Sequence, residues 1–149
     1  MRIFAALTMA LTLALTGANA AEAEDSRALV QLPAPMQEHM LANMRDHLAT
    51  LDEILGRLAE GKFDAAAKLA EERLGMSSLE RHGASHMAPF MPKPMQDMGT
   101  NMHRAASKFA IAATNASVTP SFDGMRAVFG ALHEVTATCA GCHAAYRLR

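Results

Sequence analysis

The stretch Leu132–Arg147, LHEVTATCAGCHAAYR, decides the reading of this chain. Its first half ends an apolar stripe, Phe122, Met125, Phe129, Leu132, Val135 and Thr136, that recurs at the three- and four-residue steps of a helix. Its second half contains Cys139-Ala140-Gly141-Cys142-His143, and C-x-x-C-H is the attachment signature of a c-type haem. Each part has a job. The two thiols add across the haem vinyl groups, and His143 follows where its imidazole can bind iron from one face. Rival readings are a dithiol redox pair, a structural disulfide and half a zinc site. The first wants a βαβ context and the last wants further ligands close by. The chain has only 2 cysteines and no alternating strand pattern. One haem c, covalent through Cys139 and Cys142 with His143 as an axial ligand, is therefore expected.

The N-terminus points the same way. Met1-Arg2 is a short basic start, Ile3–Leu15 is an apolar run, and Ala18-Asn19-Ala20 is an A-x-A cleavage pattern. Residues 1–20 are expected to be a signal peptide cut after Ala20, with export to a bacterial periplasm, where haem is attached to exported chains. The apolar run is short for a membrane span, and no other segment is long and apolar enough. The mature chain is expected to be soluble and without a membrane span. It would hold about 129 residues, enough for one domain with one core. Residues 21–34 read as a loose lead-in and residues 35–149 as the domain.

Half of the residues are apolar, yet Trp is absent, Tyr occurs once and Phe six times. A core this poor in aromatics leaves room for a flat apolar group. Ala and Met take the aromatics' place: Ala lets helices approach closely and Met fills irregular gaps. The formal net charge is -1, with no long run of either sign. That argues against nucleic acid and against a polybasic membrane patch.

Four helices can be read. Met36 to Gly61 carries Met40, Met44, His47, Leu51, Ile54 and Leu58 at helical steps, with Leu41, Leu48 and Leu55 widening the stripe. Phe63–Leu74 is a second helix ended by Gly75. Ser77–Pro94 is irregular, with a turn or two over Leu79–His86. Met95–Ala116 is a third helix. Thr119-Pro120 supplies the N-cap and first position of a fourth, which runs through the haem motif to Tyr146. No strand is expected. The fold class is thus all-α, and short connections predict an antiparallel up-down four-helix bundle, with the haem near the C-terminal end of helix four.

The motif Cys139–Arg147, C-x-x-C-H-x-x-Tyr-Arg, on the last helix of a small exported all-α chain resembles the class II c-type cytochromes, cytochrome c′ and its low-spin relatives. The resemblance implies that the first helix covers the open face of the iron. An apolar residue there leaves iron five-coordinate, as in cytochrome c′, and a Met completes His/Met ligation. Thioether ligation favours ferrous iron and suits electron transfer. Counting along the first helix as that layout suggests lands nearest Met44, with Met40 one turn away as the second candidate and His47 as a third. Both methionines can equally be core packing. The resemblance also implies an Arg one turn before the ligand, reaching a haem propionate. Here that place holds Met40 or Met36, and Arg45 is a weaker substitute. Arg147 is expected to neutralise haem charge and Tyr146 to pack or hydrogen-bond at the haem edge. Relatives of this class also form homodimers through their first two helices.

The remaining oddity is the stretch His82, His86, Met87, Met91, Met95, Met98, Met102 and His103. His82 and His86 are four apart and could face the same way, and thioethers and imidazoles bind copper. The competing reading puts the methionines in the core and the histidines on the surface. The leading function is an electron carrier cycling Fe(III)/Fe(II) with redox partner proteins, and it is not an enzyme. The alternatives are a five-coordinate cytochrome that binds NO or CO, and a copper-handling protein built on this middle segment. No Ser-His-Asp set, carboxylate pair or phosphate-binding glycine loop is visible.

Overall fold

A computed structural model describes residues 24–149. The expected signal peptide, residues 1–20, and its cleavage site lie outside the described residues. The described chain is mainly helical: α1 (Ala34–Ala59), α2 (Phe63–Arg73), the short α3 (Ala84–Met87), α4 (Lys93–Val118) and α5 (Phe122–Ala145). Two 3-10 turns, Met76–Ser78 and Ala88–Phe90, flank α3.

The helix boundaries have local causes. Pro33 and Pro35 start α1, where missing N–H groups cost nothing. Gly61, at φ 72°, closes it in a left-handed turn that side chains rarely adopt. Pro92 and Pro94 start α4 in the same way as α1. The cap of α5 differs from expectation. Ser121, not Thr119, is the N-cap, and its Oγ accepts from Gly124 N at 2.9 Å. A serine hydroxyl two residues on satisfies the first turn, so Pro120 stays outside the helix.

α1 packs on α2, α2 on α4, and α4 on α5. The main core fills these seams with alanines: Ala66, Ala67 and Ala70 from α2 meet Ala105, Ala106, Ala110 and Ala113 from α4. Small side chains let the backbones approach, and Phe109, Ile54 and Leu132 fill what remains. α1 and α5, expected as direct neighbours, make no extensive backbone contact. Their side chains still meet in the main core, through Ile54 and Leu58 on one and Val128 and Leu132 on the other.

Two stripes differ from their sequence reading. On α1, Leu48 is 70% and Leu55 51% exposed, whereas Thr50 is buried, its hydroxyl turned back to the Asp46 carbonyl at 2.7 Å. The face is narrower because α1 packs closely on α2 alone. On α5, Phe122 is 79% and Phe129 53% exposed, and the buried positions are Val128, Leu132 and Val135. The start of this helix has a neighbour on one side, so its aromatics stay outside.

The lead-in is not loose where it is described. Ala28–Leu29 (β1) pairs in parallel with Tyr146–Arg147 (β2), and Val30 N donates to the Arg147 carbonyl at 2.8 Å. Val30 is buried. This pairing also ends α5 at Ala145. The segment escapes a periodicity search because each strand is two residues long.

Candidate functional site

A second apolar cluster lies apart from the alanine core. Val30, Met40, Met87 and Met95 are buried in it, and Met36, Met44, Met91, Cys142 and Tyr146 pack around them. Beside it opens a cavity of about 480 Å³, bounded by α1, the Ser77–Pro92 connection, α4 and the end of α5. That is the size of a site for a large organic group. Six of the seven residues singled out for haem binding line it: Met40, Met44, Cys142, His143, Tyr146 and Arg147. The seventh, Cys139, is half-buried one turn earlier on α5 and packs against the alanine core.

The helix explains the grouping. Positions three apart on α5 put the two thiols on neighbouring parts of one face, and His143 projects beside Cys142. His143 is exposed on the chain surface and reaches the cavity. Both cysteines are unbridged. Burial pushes both thiols above their ordinary value, and Cys142 raises Cys139 further. Redox dithiols show the opposite shift, toward the thiolate. The helix also supplies none of the βαβ surroundings such a pair uses. A flat apolar group held through two thioethers and an imidazole suits this face and this cavity.

The charged rim was only partly legible. Arg45 is exposed and does not line the cavity. Arg27 does, and its Nη1 donates to the His143 carbonyl at 3.4 Å. Arg147 is buried enough that its Nε lacks a hydrogen-bond partner, although Asp25 stands within ion-pair reach at 3.6 Å. Asp25 is gripped by Arg27 at 2.7 and 2.9 Å, and that bond holds its carboxyl down at about 2. No sequence signal marked Arg27, because pairing of β1 with β2 brings it in from more than a hundred residues away.

The connection before α4 closes the cavity and carries a surprise. His82 is buried, and His86 is exposed, so the two do not face the same way. His82 instead meets His47 of α1 and His103 of α4, with ring centroids 4.6 and 5.4 Å away. The backbone at His82 is fixed by α1: His39 Nε2 lies 3.0 Å from its carbonyl, and Asn43 Nδ2 donates to the same oxygen at 3.0 Å. Burial, and then the neighbouring imidazoles, hold His47 and His82 down at about 4, and burial lowers His103.

No protein-family model, curated protein or solved structure matches the chain. Among the described residues no helix is long and apolar enough to cross a membrane.

Proposed function

We propose that this chain is a periplasmic c-type cytochrome of the class II kind, one that carries electrons between redox partner proteins. In this reading the four long helices form an antiparallel up-down bundle, and residues 1–20 are the export signal. The observation that carries the reading is a coincidence of place. Cys142 and His143 of the C-x-x-C-H motif share one thioether-lined cavity with Met40 and Met44, about a hundred residues away in sequence.

When bound, haem supplies the one-electron Fe(III)/Fe(II) couple. The chain's own residues do the rest. Cys139 and Cys142 would hold the group on α5 through two thioethers. His143 would offer its imidazole to the iron. Met44, with Met40 as the second candidate, offers a thioether from α1. A neutral sulfur donor favours the reduced state and raises the potential. The methionines of α1, α4 and the connection exclude water from the face, which lowers the local dielectric and further favours the less charged state. Arg27 and Arg147 line the open side and share one carboxylate, Asp25, which leaves a single positive charge there for carboxylates. The carrier role asks no residue to move a proton.

The test is the optical spectrum of purified holoprotein with Met44→Ala and Met40→Ala beside it. Wild-type protein is expected to be low-spin. One of the two substitutions, Met44→Ala first, converts it to a high-spin form that binds CO when reduced. A wild type that is already high-spin and takes up CO contradicts Met ligation and favours the five-coordinate gas-binding reading.

A further inference from the structure

The proposed electron carrier uses none of the three buried histidines. They come from separate parts of the chain: His47 from α1, His82 from the connection, His103 from α4. Each is less than a tenth exposed, at 8%, 5% and 7%. Their ring centroids stand 4.6, 5.4 and 5.9 Å apart.

The hydrogen bonds of His82 and His103 fix which of their nitrogens are free. His103 Nδ1 lies 2.7 Å from the Leu74 carbonyl, which can only accept, so Nδ1 carries the proton and Nε2 the lone pair. Ser78 Oγ donates its one proton to the Gly75 carbonyl at 2.7 Å. It can then only accept from His82 Nδ1, 3.3 Å away, so His82 also presents a bare Nε2. Two of the nitrogens left over are orphans. His82 Nε2 and His47 Nε2 are buried with no partner. Imidazoles anchored through Nδ1 to a carbonyl or hydroxyl, with Nε2 left free, are arranged as metal ligands are. Unpartnered buried nitrogens are costly and call for an occupant.

We propose that His47, His82 and His103 form a binding site for a single cuprous ion, distinct from the haem motif. All three donors are neutral. The nearest carboxylate, Asp46, is already paired with Arg73. A monovalent ion buries less uncompensated charge here than a divalent one. Imidazole suits copper, and the cavity beside the histidines also carries the soft thioethers of Met40, Met44 and Met102. Among the described residues no three His, Cys, Asp or Glu side chains stand at ligand distance from a common point, so binding requires the rings to turn. The turn is small. Imidazoles bound to one ion through nitrogens roughly 2.0–2.1 Å away place their centroids about 5–5.5 Å apart, which the observed spacings bracket.

The site needs none of Cys139, Cys142 or His143, so it stands or falls separately from the haem reading, which the Soret band reports in the same sample. The experiment is anaerobic competition for Cu(I) between the purified, reduced protein as isolated and a chromophoric chelator, followed by copper X-ray absorption. The expected result is one copper per chain with three histidine nitrogens as nearest scatterers. Ser78→Ala, which removes the oxygen beside both Nδ1 atoms, weakens binding about 10–100-fold. His82→Asn weakens it further. His86→Asn and His133→Asn, both at exposed positions, leave it unchanged. Wild-type protein that yields all its copper to the chelator overturns the proposal. So do sulfur nearest neighbours, a preference for Zn(II), or a loss in His86→Asn equal to that in His82→Asn. The wild-type measurements decide even where a variant fails to fold.

Discussion

His47 and His82 carry the sharpest single-residue consequence. Both are held at about 4 in the folded chain, below the ordinary 6.5, first by burial and then by neighbouring imidazoles. The unfolded chain therefore binds more protons between these values, and stability falls as the pH drops through 6.5 toward 4. Above 6.5 the histidines are neutral in both states and contribute no slope. Below about 4 both states are protonated and the loss levels off. For one imidazole taken alone the loss is on the order of 3 kcal/mol, and for the pair it is less than additive because their repulsion is shared. Urea denaturation at a series of pH values, with a chelator present, reads this directly. His47→Gln should flatten the profile, and a variant as steep as wild type would contradict the burial argument. Sequence reading set His82 on the surface with His86 because only spacing was available. Burial of one and exposure of the other follow from the way α1 clamps the His82 carbonyl through His39 and Asn43, a contact between segments about forty residues apart.

Among the elements, the connection between α2 and α4 depends on Gly83. It sits at φ 63°, and a Cβ there would meet His39 Nε2 at 3.1 Å. Gly83→Ala should cost about 1–2 kcal/mol in denaturant melts and loosen the backbone that presents His82. By contrast Leu55→Gln, on the exposed side of α1, should change stability by less than about 0.5 kcal/mol. Melts showing the reverse order would mean that the connection is not held as described. The long helices were legible because their apolar periods run for many turns. Gly61 marked an end because its chemistry is local. The exposed Phe122 and Phe129 were misread because periodicity shows that a helix has an apolar face but not how many neighbours cover it. The pairing of β1 with β2 was illegible since two residues carry no period. Of the candidate site, the motif was legible from spacing and Met40 and Met44 from their stripe. Arg27 was not, because only tertiary contact brings it to the cavity; His103 stood out in its Met- and His-rich stretch, but its place beside His47 depends on tertiary contact.

At the scale of the whole molecule the chain has two unlike parts. One is an alanine-packed core in which Phe109 is 1% exposed. Phe109→Ala should cost about 3–5 kcal/mol, since alanine neighbours are too small to refill the space. The other is a methionine-lined cavity between α1 and the end of α5, where backbone contact is sparse. A haem tethered to α5 would bridge that gap and gain its apolar contacts with α1 only in the folded chain, so a chain without it should be less stable. This division also accounts for the composition, with aromatics scarce and methionines gathered where a flat group would lie. The most direct measurement is the intact mass of protein exported to a bacterial periplasm that attaches haem. The account predicts a chain beginning at Ala21 plus the mass of one haem, an addition that survives acid acetone and is lost when Cys139 and Cys142 are both replaced by Ala. A colourless protein at the bare polypeptide mass would contradict it.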